Sequence, residues 1–170
     1  MSNHVHILAV PRKEDSLARG MGGTNLVYTQ YINRKYKRSG RLWQNRFFST
    51  IVDTDRYLWA VARYIERNPL RAGLVPKADA YKWSSCRAHM HGDANKYLSC
   101  TEWLQESDRI EYQKLLQSEN GADVMAIRQA TSTGRPLGSA NFIERLEKKL
   151  DRSLTANKVG RPSKQQEKNK

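Results

Sequence analysis

Leu58, Val61, Ala62 and Ile65 recur at the three- and four-residue intervals of an α-helix and draw one apolar stripe along residues 55–67. Such a stripe has to be buried, so the core of any fold this chain adopts includes this helix. Asp53 or Thr54 stands where an N-cap is needed, and Pro69 sets the expected end, because proline cannot donate to the carbonyl one turn back. Tyr57, Tyr64 and Asn68 fall on an adjoining stripe. Tyr64 and Asn68 are four residues apart, which presents a phenol and a carboxamide together on one side of the helix. Both also have plain structural readings, Tyr64 as a core-edge tyrosine and Asn68 as a C-cap ahead of proline.

Upstream, residues 16–52 hold no acidic side chain, while Arg19, Arg34, Lys35, Lys37, Arg38, Arg41 and Arg46 all lie there. Leu26, Val27, Tyr31 and Ile32 predict an amphipathic helix over residues 24–37, closed by Ser39-Gly40. Cations in a last helical turn gain ~0.3–1 kcal/mol each from the dipole. The run from Arg34 to Arg46 exceeds what that requires and points to a DNA surface made of Arg34, Lys35, Lys37, Arg38, Arg41, Trp43 and Arg46. Trp43 and Phe47 interleave with these charges, either as a platform for unpaired bases or as core residues. Residues 47–52 have the β-branched and aromatic character of a strand.

At the start of the chain, Asn3-His4-Val5-His6-Ile7-Leu8 reads as a strand over residues 5–10 that stops at Pro11. Alternation places both imidazoles on one face, where they can share a metal ion, and turns Val5 and Ile7 to the other face to pack into a core. The alternative is incidental polar surface. A second pair, His89 and His91, sits in a Gly/Asp/Asn-rich segment without a strand signal and is read as loop.

Further on, Gly73-Leu74-Val75-Pro76 closes the central helical unit and Trp83-Ser84-Ser85 offers a helix cap. Residues 101–118, 124–130 and 142–150 are expected to be helical, the last two flanking Thr133-Gly134-Arg135-Pro136-Leu137-Gly138 in a helix-turn-helix-like order. From Thr155 onward Lys, Gln, Asn, Ser and Gly predominate, and a flexible basic tail is expected. It contains Gly160-Arg161-Pro162, which repeats the tripeptide at 134–136 and is similar to the minor-groove AT-hook; this makes Arg161 a further DNA-binding candidate.

Composition agrees with one domain and a polar appendage: 170 residues, 38% hydrophobic, mean hydropathy −0.80. A net charge of +13 calls for a polyanionic partner, with nucleic acid the first choice. Cys86 and Cys100 lack a metal-ligand spacing and read as free thiols of a reducing compartment. No signal peptide or membrane-length apolar run is present, so a cytoplasmic protein with no membrane partner and no small-molecule substrate is expected.

Four motifs together, Met1-Ser2-Asn3-His4-Val5-His6, Gly40-Arg41-Leu42-Trp43-Gln44-Asn45-Arg46-Phe47, Ala62-Arg63-Tyr64-Ile65-Glu66-Arg67-Asn68-Pro69-Leu70-Arg71-Ala72-Gly73-Leu74-Val75 and Trp83-Ser84-Ser85, resemble the REP-associated tyrosine transposases, relatives of the single-tyrosine HUH transposases. The resemblance implies an α+β, ferredoxin-like HUH domain over residues 1–90, a helical C-terminal extension over 91–154 and a basic flexible tail over 155–170. It implies cleavage and rejoining of single-stranded DNA at REP-type hairpins. Tyr64 would be the nucleophile, His4 and His6 the metal ligands with Asn68 lending its amide oxygen, and the cofactor a divalent metal, Mg2+ or Mn2+. In that family a strand and helix precede the histidine strand, whereas Met1 stands there here, so a truncated sheet is expected. The oligomeric state stays open, with the monomer favoured.

Two other classes compete. One is a catalytically inactive DNA-binding remnant that keeps the basic window and tail. The other is a zinc hydrolase using His4, His6, His89 and His91, which lacks a general-base motif such as His-Glu-x-x-His.

Overall fold

The computed structural model describes residues 1, 3–98 and 103–155. Cys100 and the tail carrying Arg161 lie outside the described residues. Among the described residues the regular elements are helices: α1 (Ser16–Lys35), α2 (Thr54–Arg71), α3 (Cys86–His91), α4 (Arg109–Gln117), α5 (Gly121–Thr133) and α6 (Ala140–Leu150). Short 3-10 turns at Ala78–Ala80 and Glu106–Asp108 join α2 to α3 and lead into α4.

The apolar stripe of α2 is buried on two sides. Ala62 packs with Ala78, Cys86, Leu104, Tyr112 and Leu116, and Trp59 and Met90 close over that cluster. Val61 packs with Ile127, Ala130 and Leu137, with Tyr57, Tyr64 and Ile65 at its edge. α2 is thus the element on which both clusters are built, and burying such a stripe contributes about 25 cal/mol per Å2 of apolar surface.

An arginine row on α2 adds polar ties at four-residue spacing. Arg63 pairs with Asp123 at 2.6 Å, Arg67 donates to the Leu116 carbonyl, and Arg71 pairs with Glu119 at 2.5 Å. Glu66, 1% exposed, projects toward α3 and α4 and accepts from Ser85 Oγ at 2.7 Å and Tyr112 Oη at 2.8 Å, while His89 Nδ1 lies 2.5 Å from its carboxylate. Burial and the Glu66 carboxylate push the Tyr112 phenol and the Cys86 thiol well above their ordinary values, so both stay protonated.

The ends of the helices follow local chemistry. Asn120 caps α5 by accepting from the amides of Ala122 and Asp123, and Gly134 at φ +66° closes it. Ser139 caps α6, accepting from the Phe142 amide. Asp53 occupies the N-cap position of α2, but its carboxylate accepts from the Ser139 amide and hydroxyl, tying the starts of α2 and α6 together. Gly138 has to be glycine for this close approach: a Cβ there would meet Phe142 Cδ1 at 2.3 Å and Asp53 Cβ at 2.9 Å.

The expected ferredoxin-like α+β fold is corrected by this structure, which is helical and has no sheet among its described residues. Its one β feature is an isolated parallel bridge between Val52 and Leu137. A strand exists only where a neighbour's backbone completes its ladder. The segments around His4 and His6 and at 47–50 gain no such neighbour among the described residues, and Val5 and Ile7 are 58% and 59% exposed instead of packed. Two further expectations change. α2 runs past Pro69 to Arg71, sustained by bonds from the Ala72 amide to Asn68 and from Leu74 to Pro69, and ends at Gly73 with φ +67°. His89 and His91 lie on α3, and His89 is buried. No helix of the described residues is long and apolar enough to cross a membrane.

Candidate functional site

Tyr64 sits half-buried on α2 at the edge of the Val61 cluster. Two groups meet it and a third stands behind one of them. The His6 ring meets the tyrosine ring edge-on with centroids 5.7 Å apart, and the His4 ring stands perpendicular to His6 at 5.0 Å. The Arg71 guanidinium lies over the Tyr64 ring, 4.8 Å from its centroid. Arg71 Nη1 also donates to Asn68 Oδ1 at 2.9 Å. Residues from the start of the chain and from two turns of α2 therefore form one cluster, although the extended N-terminal segment is not a sheet strand.

Burial beside Tyr64 holds the His6 imidazole below its ordinary pKa, aided by His4, the N-terminal ammonium and Arg71. His6 is accordingly neutral at neutral pH, the form that can donate a lone pair to a metal. His4 Nδ1 contacts Asn3 Oδ1 at 2.7 Å, an arrangement that leaves Nε2 for a ligand. As donors the two imidazoles fit a divalent ion. The amide oxygen of Asn68, the expected third ligand, is engaged by Arg71 instead. No group of three or more His, Cys, Asp or Glu side chains suited to a metal occurs among the described residues.

The remaining DNA candidates lie elsewhere on the molecule. Arg34, Lys35, Lys37, Arg38, Arg41 and Arg46 are exposed. Trp43 is half-buried, donates Nε1 to the Asn25 carbonyl at 3.2 Å and packs against Tyr28, so it belongs to the α1 surface and to neither core cluster. Lys35 lies over the rings of Tyr31 and Tyr36, and its hydrogen bond to Tyr31 raises its pKa. A groove of about 600 Å3 runs along α1, lined by Gly23, Thr24, Val27, Tyr28 and Tyr31. No hydrogen bond, ion pair or ring contact joins this surface to the Tyr64 cluster among the described residues.

No sequence pattern gave a role to Arg71, Glu119 or Glu66, and His89 entered only as a zinc-ligand alternative. The four-residue repeat Arg63, Arg67, Arg71 was the available signal for the first. Glu119 and His89 meet α2 only through tertiary folding, and no local pattern marks them.

The helical framework thus collects two imidazoles, a phenol and a guanidinium at one place and displays a cationic aromatic surface at another, the kind of surface that suits a polyanion. Residues 1–68 match the family model described as "Transposase IS200 like". Over these residues the chain is similar to IS200-like transposases. No curated protein and no solved structure matches the chain.

Proposed function

We propose that the chain is a transposase-like enzyme of the REP-associated type, cutting and rejoining single-stranded DNA at hairpins through a tyrosine linked to the 5′-phosphate. The observation that carries this reading is the meeting of His6 and Tyr64, far apart in sequence, edge to edge at 5.7 Å. His4 and His6 would hold Mg2+ or Mn2+, and such an ion when bound neutralises charge that develops on a scissile phosphate. Asn68 Oδ1 gives one lone pair to Arg71, so any share in holding the ion would fall to its second lone pair.

The residues of the chain account for the rest. Tyr64 Oη loses its proton to solvent and forms a bond to phosphorus; the bond from phosphorus to the 3′-oxygen breaks, and that oxygen takes up a proton from water. One phosphodiester replaces another, so the free 3′-hydroxyl of a new end can reverse the step without ATP. Packing of the Tyr64 ring between His6 and Arg71 limits its orientations, which is the positioning such a transfer needs.

The test is incubation with a labelled single-stranded hairpin and Mn2+, followed by a denaturing gel, with Tyr64→Phe alongside. An adduct absent from the variant supports the enzyme. Exposure of Val5 and Ile7 around the imidazoles favours a second reading, a DNA-binding remnant, under which the native gel shifts and no adduct forms.

A further inference from the structure

The three arginines of the α2 row are unequal. Arg63 is 7% exposed at its side chain and committed to Asp123 on α5, and Arg67 reaches inward to the carbonyl of Leu116 on α4. Both work as clamps between helices. Arg71, at the end of α2, is 19% exposed and lies over Tyr64, two helical turns further along the same side. Its Nε and Nη2 converge on one oxygen of Glu119, at 2.7 and 2.5 Å, and its Nη1 meets Asn68 Oδ1 at 2.9 Å. A guanidinium has five N–H donors, so one N–H on each terminal nitrogen remains uncommitted.

We infer that Arg71 is a phosphodiester-binding residue for single-stranded DNA, held by Glu119 and Asn68 so that its uncommitted N–H pair receives the linkage lying against Tyr64. Which linkage is held depends on the function proposed above; the anion site itself does not. Two donors fixed in one plane match two phosphate oxygens, and a guanidinium so held loses little rotamer freedom on binding. Glu119 fixes the plane of the fork through a single oxygen, and its own carboxyl is held below the ordinary range chiefly by its bond to Arg71. A purely structural Arg71 would resemble Arg63, buried against its partner. The guanidinium instead faces the nucleophile candidate.

The full chain is titrated with an oligothymidylate 20-mer across a salt series, comparing wild type, Arg71→Lys and the double variant Arg71→Gln with Glu119→Gln, which leaves no bare carboxylate. Loss of one single-strand phosphate contact lowers the magnitude of the log–log salt slope by about 0.7. That drop is expected in the double variant, with the slope kept in Arg71→Lys. An unchanged slope in a double variant of native circular dichroism overturns the inference. Should the double variant not fold, phenylglyoxal labelling of the wild type decides: the oligonucleotide must protect Arg71, and labelling at an undiminished rate overturns the site. A wild type that shows the slope or protection effect but forms no adduct with any hairpin retains the phosphate site and refutes the transposase-like reading. An adduct formed at undiminished yield by the double variant, with an unchanged slope, does the reverse.

Discussion

Glu66 and His6 show how far single residues depend on partners distant in sequence. Glu66 is fully enclosed and holds together Ser85, His89 and Tyr112, which joins α2 to α3 and α4. Glu66→Ala strands His89 and Tyr112 in the core and frees the part-buried Ser85, and breaking a buried pair typically costs about 3–5 kcal/mol; the urea midpoint falls accordingly, and a loss under about 1 kcal/mol contradicts this role. His6 makes a pH prediction. Its folded pKa is below the ordinary 6.5, so the native state prefers the neutral ring; the stability this supplies is present above pH 6.5 and is lost as pH falls through the lower folded value. By NMR, His6 titrates below 6.5, and His4→Gln moves it upward because one repelling charge is gone.

At the level of elements, α1 and α2 are opposites. α2 carries both core clusters, whereas α1 buries no residue and leaves Leu26, Val27 and Tyr31 more than half exposed. Its helix begins eight residues before the periodicity predicts, at Ser16, and passes through Gly20, Gly22 and Gly23. Nothing lies within 4 Å of a Cβ built at those glycines. Gly22→Ala with Gly23→Ala therefore strengthens α1 by about 1 kcal/mol each and deepens the 222 nm circular dichroism signal; a loss of helicity would reveal a packing partner.

Legibility in the sequence followed the same division. The stripe of Leu58, Val61, Ala62 and Ile65 placed α2 correctly because helical periodicity is local. Alternation around His4 and His6 was equally regular, but a strand needs a neighbour as well as a pattern, and Val5 and Ile7 stay exposed. Pro69 misled for a related reason: helix-breaking is a local tendency, and the bonds from Ala72 and Leu74 outweigh it.

The whole molecule carries a side-chain cluster at one place and a cationic surface at another. Under the proposed function the His6–Tyr64–Arg71 cluster would supply the chemistry and the cationic aromatic face of α1, with the loop to Arg46, would supply the binding, in keeping with a net charge of +13. Sequence motifs named Tyr64, His4 and His6, and the structure brings their rings together. The motifs could not foretell that a helical core, and not a sheet, would hold them, because the order of motifs constrains ancestry more tightly than it constrains packing.

The central claim is that Tyr64, flanked by His6 and Arg71, is the group that links to DNA. Its most direct test is digestion of the wild-type reaction with trypsin and nuclease, then mass spectrometry of the modified peptide. Cleavage after Arg63 and Arg67 isolates Tyr64-Ile65-Glu66-Arg67. The account predicts a nucleotide 5′-phosphate on that peptide. The same mass on a peptide carrying Tyr57 or another tyrosine, or on none, contradicts it.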